Sequence, residues 1–169
     1  LSKTNYVQPD EVAAWIIDKD PGFIVVDVRS GNDFKKYHIP GSENIPINKL
    51  LDDETLQDMP KDETIVLVSN GNTKASQGWI LLKQLGYNDV YVLQGGMNRW
   101  VAVFSNPPKP NSNYTDDELF TYQFRVAAAP VMMGKAVAAQ NDTAPQTQIK
   151  KAPVKRFKKK KKKKIDEGC

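Results

Sequence analysis

Three apolar runs limit what this chain can become: Phe23 to Val28, Ile65 to Val68 and Val90 to Leu93. Each is too short for a buried helix and rich in β-branched residues. The runs are also continuous rather than alternating, the pattern of strands covered on both faces of a parallel sheet. Between them lie stretches with helical spacing: Asn32 to Tyr37, Asn48 to Leu56, and Ala75 to Leu85 with Trp79, Leu82 and Leu85 on one side. Tyr6-Val7 reads as a short first strand, and Pro9-Asp10-Glu11 opens a helix with Val12, Trp15 and Ile16 on one face, stopped by Pro21-Gly22. Strands alternating with helices argue an open α/β sheet, in which ligands bind beyond the carboxyl ends of the strands. Ser69 stands at one of those ends.

Past Trp100 the character changes. Asn106 to Asn113 holds too much proline for a helix and no apolar alternation for a strand, so it reads as a stiff polar connector. Thr115-Asp116-Asp117-Glu118 is a capping-box pattern that predicts a helix through about Ala128, ended by Pro130. Leu119, Phe120, Phe124 and Val126 are unevenly spaced, so weak docking is expected. The Ala, Gln, Thr, Pro and Lys content of 134–169 buries too little to offset ordering entropy and predicts a disordered lysine-rich tail. The division is therefore a domain at 1–104, a connector and short helix at 105–133, and the tail at 134–169. At 169 residues there is room for one core plus an appendage.

The formal charge of +4 conceals two opposite halves. Residues 150–169 carry 11 Lys and Arg against two acids, which leaves 13 against 18, or −5, for residues 1–149. The run Lys158 to Lys164, preceded by Lys155-Arg156-Phe157, suits an anionic membrane surface or sequence-blind binding to nucleic acid, and equally a solubilising extension. Cys169 is the single cysteine, which rules out an internal disulfide and a cysteine-built metal cage. Neither metal nor cofactor is expected. The longest apolar run falls well short of the roughly 18–20 residues of a membrane span. Because the chain opens on Leu1 rather than Met, a processed or excised product is expected, and the compartment stays open.

Ordered motifs bind these segments together: Asp27-Val28-Arg29, His38-Ile39-Pro40-Gly41, Ser69 to Lys74, Leu85-Gly86-Tyr87, and Gly95-Gly96 before Trp100. Over about residues 6–104 they resemble a rhodanese-homology domain, which implies a five-stranded, mostly parallel sheet flanked by helices. In that family the loop after the fourth strand opens with a cysteine that carries sulfane sulfur as a persulfide. Counting without gaps from Leu85-Gly86-Tyr87 puts Ser69 there. The related cell-cycle phosphatases use a seven-residue loop with its own Cys and Arg, which this chain does not match.

Serine lacks persulfide chemistry and needs a nearby base to act as a nucleophile. His38 aligns with a structural element of the family, and Leu67 and Gly71 flank Val68-Ser69-Asn70, so the hydrolase elbow is absent. A Ser69–Lys74 dyad is conceivable but a polar turn explains the pair as well. What the resemblance leaves is an anion cradle over Ser69, Asn70, Gly71, Asn72, Thr73 and Lys74, for phosphate, sulfate, thiosulfate or a partner's carboxylate, or an unliganded turn. Asp27 and Arg29 are expected to fasten the neighbouring loops through charge-assisted hydrogen bonds, although a catalytic edge fits the pattern too. Gly95-Gly96 reads as a tight reversal. The expectation is a non-catalytic anion- or protein-binding module. Its alternatives are a sulfurtransferase using Cys169 or a partner's thiol, and a polybasic module on membrane or nucleic acid.

Overall fold

The computed structural model describes residues 5–134. The expected lysine-rich disorder, Lys158 to Lys164 and Cys169 lie outside that range. Five strands form one sheet: β1 (Tyr6–Val7), β2 (Phe23–Asp27), β3 (Glu43–Asn44), β4 (Thr64–Val68) and β5 (Val90–Leu93). Their order is β1-β5-β4-β2-β3, every neighbouring pair parallel. Six α-helices connect or extend them: α1 (Pro9–Ile17), α2 (Gly31–Lys36), α3 (Asp53–Asp58), α4 (Thr73–Gln84), α5 (Gly96–Ser105) and α6 (Asp116–Met132).

The pleat divides the apolar runs between two cores. Val66, Val68, Val25 and Leu93 point to one face, where Val12, Trp100, Phe104 and Met132 cover them. Ile65, Leu67, Val26, Val90 and Val92 point to the other, against Trp79, Leu82, Leu50 and Tyr87. Covering on both sides is why these strands carry no polar alternation.

Local chemistry sets the helix boundaries. The Gln8 amide donates to Glu11 Oε2 at 2.9 Å ahead of Pro9, and the Thr115 amide donates to Glu118 Oε2 at 2.8 Å at the start of α6. Three expectations are corrected. The single helix expected over 48–56 is instead a 3₁₀ turn (Ile47–Lys49) followed by α3, because the chain bends to sink Leu50 completely beneath Gly78 of α4. Leu85 is exposed rather than on the buried side, since the helix stops at Gln84 and reverses through Gly86 at φ +86°, which delivers Tyr87 to the core in its place.

The third correction is α6, which runs through Pro130 to Met132 and docks firmly. Ala128 and Met132 are buried, Phe124 packs on the same core, and Arg125 pairs with Asp10 of α1 at 2.7 Å. Proline removes one amide from the last turn only, and packing of the residues on either side outweighs that loss. Helix α6 thus packs on the first core through Phe124, Ala128 and Met132 rather than docking weakly.

Candidate functional site

Backbone pairing between β2 and β4 continues one step past the strand ends, where the Val28 amide donates to Val68 O at 2.8 Å. This step brings Arg29 beside Ser69. Asp27 and Arg29 are almost wholly buried, and the guanidinium meets the carboxylate three times: Nε donates to Oδ1 at 2.9 Å and to Oδ2 at 3.0 Å, and Nη2 to Oδ2 at 2.6 Å. The Arg29 amide also donates to Asp27 Oδ1 at 3.0 Å. Nη2 continues to Tyr37 O at 2.7 Å and Nη1 to Asn70 Oδ1 at 3.4 Å. One buried, charge-neutral pair thereby ties together the ends of β2 and α2 and the loop after β4.

That loop leads from β4 into α4. Its carbonyls turn downward: Ser69 O accepts from the Met97 amide at 2.8 Å and Asn70 O from the Asn98 amide at 3.0 Å, both at the start of α5. The carbonyls of Ser69, Asn70 and Gly71 all converge on Gly96, where an added methyl would lie 2.6 Å from Gly71 O and 2.8 Å from Asn70 O. Asn72 also turns down, its Oδ1 accepting from the Gly95 amide at 2.6 Å. A trans peptide sets its N–H opposite its carbonyl. The amides of residues 70, 71 and 72 therefore point away from α5.

On that upper side opens a shallow depression of about 210 Å³ lined by Arg29, Ser30, Asp33, Ser69, Asn70, Gly71, Thr73 and Lys74. Among the described residues, no hydrogen-bond acceptor is paired with the amides of Asn70, Gly71, Thr73 or Lys74. The first turn of the 12-residue α4 adds its partial positive charge to the same place.

Ser69 is buried, 2 % exposed. Its hydroxyl donates to Gly71 O at 2.6 Å and accepts from the Ala75 amide at 3.2 Å, so its proton goes to a carbonyl and not to a base. Lys74 is exposed and, among the described residues, lies within ion-pair distance of no carboxylate. Asp33 stays at the rim. The Ser30 hydroxyl, donating at 2.9 Å, holds its carboxyl below the ordinary range against desolvation, with Lys36 and then Arg29 adding lesser pulls in the same direction. Neither Asp27 nor Asp33 occupies the loop amides.

His38 lies outside the depression, stacked on Phe34 at 4.0 Å with Nδ1 bonded to Phe34 O. Of the residues singled out from sequence, Ser69, Asn70, Gly71, Thr73 and Lys74 meet in one depression, Arg29 walls it, Asp27 braces Arg29, and Asn72 faces the underside. Sequence reasoning missed Ser30 and the function of Gly96 as a seat for three carbonyls. The Gly95-Gly96 pair was itself the signal, since both adopt positive φ.

A family model for the rhodanese-like domain matches residues 8–103, more than half of the chain. The chain belongs to the rhodanese-like domain family. This rhodanese-like domain is 31% identical over 104 residues to the thiosulfate sulfurtransferase GlpE of Pseudomonas savastanoi pv. phaseolicola, covering 62% of this chain and 93% of that protein. It is 28% identical over 99 residues to the "Probable adenylyltransferase/sulfurtransferase MoeZ" of Mycobacterium tuberculosis, covering 59% of this chain but 25% of that protein. The chain thus matches about a quarter of the mycobacterial relative's length. In fold, it superposes on the rhodanese-like domain of an Anabaena protein with a TM-score of 0.55 at 24% identity, covering 67% of this chain and 91% of the other. A rhodanese-like domain protein from Staphylococcus aureus gives 0.52 at 24%, with 57% and 91% covered. Among the described residues, no three of His, Cys, Asp and Glu gather as metal ligands.

Proposed function

We propose that this rhodanese-like domain recognises an oxyanion, or an acidic side chain of a protein partner, in the loop over Ser69 to Lys74, and forms no persulfide there. The observation that carries the reading is the hydroxyl of Ser69, held between Gly71 O and the Ala75 amide with no base in reach. Recognition and reaction separate cleanly at this loop. Recognition depends on backbone amides and the start of α4, which no side chain at position 69 supplies. Reaction depends on a thiolate, which serine does not offer. Relatives named for thiosulfate suggest a sulfur oxyanion as one guest.

The second reading is sulfur transfer by another thiol, Cys169 or a partner's, and it is favoured by the sulfurtransferase names of the relatives. A thiosulfate-to-cyanide assay on the whole chain separates the two. The proposed reading expects no turnover above a blank in either the native chain or the Cys169→Ala variant. Turnover lost with Cys169 supports the second reading, and turnover kept without it overturns the first. Binding is followed by amide chemical shifts in a sulfate titration at constant ionic strength. Saturable movement of Asn70, Gly71 and Lys74 is expected; still amides mean that the loop is not an anion site.

A further inference from the structure

The edge of the sheet beside β2 is only partly covered. The Thr64 amide donates to Gly22 O at 3.0 Å and the Val28 amide to Val68 O at 2.8 Å, so the even-numbered residues of this stretch turn their backbone groups toward β4. Phe23, Val25 and Asp27 turn theirs to the opposite side, toward β3. Strand β3 meets only the end of that row. Its two residues stand in register with Val26 and Asp27, and the Ile45 amide donates to Asp27 O at 3.0 Å. Upstream of Glu43 the chain turns away through Gly41 at φ +78°, where the amide and the hydroxyl of Ser42 both donate to Ile39 O. Among the described residues, the N–H and C=O of Phe23 and the N–H of Val25 therefore have no hydrogen-bond partner. Val25 is 3 % exposed, and an unpaired amide in so buried a residue is rare.

A cavity of about 210 Å³ lies where the missing partner would run, lined by Trp15, Ile16, Ile24, Pro40 and Glu43 together with Phe23 and Val25. It shares no residue with the depression over Ser69. Donor, acceptor and donor along one strand edge are the groups that an added strand uses. The register of β3 gives Val25 O to the Glu43 amide, so an incoming chain has nothing further to pair with and stops at Glu43. Charge sets its direction. Glu43 is exposed and, among the described residues, forms no ion pair. A parallel chain would bring its carboxylate end to that acid, whereas an antiparallel chain brings its ammonium. We propose that the open edge at the start of β2 binds the free amino-terminal segment of another polypeptide, extended and antiparallel to β2, with its ammonium at Glu43. The third residue of the guest exchanges both backbone bonds with Phe23, and the first gives its carbonyl to the Val25 amide. Their side chains stand on the face of Phe23 and Val25, toward Trp15 and Ile16, so apolar residues suit both positions.

The test is a titration of the whole isotope-labelled chain with short synthetic peptides that carry Ala, Val or Leu at the first and third positions and Ser elsewhere. Each peptide is used with a free and with an acetylated amino end. Saturable shifts of the Phe23 and Val25 amides are expected with the free peptides, and acetylation should weaken binding about tenfold or more, since it removes the charge and adds bulk at the closed end of the slot. Glu43→Gln, at an exposed position and with an unchanged thermal midpoint confirming the fold, should weaken the free peptides about threefold and leave the acetylated ones as they were. The proposal is overturned if no peptide of the set moves the Phe23 and Val25 amides, or if free and acetylated peptides bind alike, which would make the edge a site for a passing strand. Asn70, Gly71 and Lys74 take no part in these readouts, so the oxyanion reading stands or falls separately.

Discussion

Two polar nodes meet at Arg29, whose guanidinium donates to Tyr37 O on one side and Asn70 Oδ1 on the other, and they use hydrogen bonds in opposite ways. At the Tyr37 node every group has a partner: Trp100 Nε1 donates to the Tyr37 hydroxyl at 3.0 Å, that hydroxyl donates to Met132 O, and Tyr37 O accepts from Arg29. At the Ser69 loop the acceptors are consumed below while the amides above are left open. The first arrangement joins α2, α5 and α6 and has nothing left to offer a ligand. The second leaves donors that a ligand of the proposed kind would use. Saturated polar groups hold a fold together, whereas a row of unpaired donors at a strand's carboxyl end is what the proposed oxyanion reading rests on.

Gly96→Ala breaks the comparison hardest. The methyl would strike backbone oxygens and impose strain at φ +57°, costing about 3 kcal/mol or more. Chemical denaturation should register that loss, and sulfate binding at the loop should vanish with it. Tyr37→Phe keeps the ring and the backbone bond to Arg29 but strands the Trp100 indole N–H and Met132 O, at about 1–3 kcal/mol. Amide exchange should quicken in α6 while sulfate affinity is kept; an equal loss of sulfate affinity would mean that the nodes are one network.

Alkali acts on phenols set into the packed body rather than on the loop amides. Burial raises the phenols of Tyr37 and Tyr87, and burial followed by the charge of Asp89 pushes Tyr91 up to about 12 from 10.0. The folded state therefore keeps phenolic protons that the unfolded chain has released. Their contribution is whole below pH about 10 and is lost as pH rises toward about 12, by less than about 1.4 kcal/mol per unit for a partly exposed ring. Urea midpoints at about pH 8, 10 and 11 should fall in that order. The smallest effect belongs to Ser69→Ala, which removes the hydroxyl between Gly71 O and the Ala75 amide at about 1 kcal/mol. Sulfate affinity should change by less than about threefold, and a larger fall would give the hydroxyl a direct part in binding.

The sheet was legible because its strands are buried on both faces, and burial writes itself into Ile65 to Val68 and Val90 to Leu93 without help from distant residues. The loop was legible in position for the same reason, since it begins where such a run stops. Contacts spanning long separations left no local mark. Nothing near Tyr37 points to Trp100 or Met132, and Arg125 has no reason in its own neighbourhood to face Asp10. Proline misled for a related reason: Pro130 is a breaker by local rule, yet Met132 is held by a core assembled elsewhere. Asn72 sat in the right loop, but its direction depends on Gly95, which only the fold brings near.

The seating of three loop carbonyls on Gly96 gives the floor of the depression a one-way character. With lone pairs turned inward, what remains on top is a row of hydrogens, so a guest is sorted first by the electron pairs it brings and only then by its size or identity. In the proposed reading, sulfate, a phosphate monoester and a glutamate side chain would be equivalent to such a floor, and an ammonium would find its acceptor only at the rim, in Asp33. On that reading, replacing the residue at the head of the loop would change what happens to a guest without changing which guests are admitted.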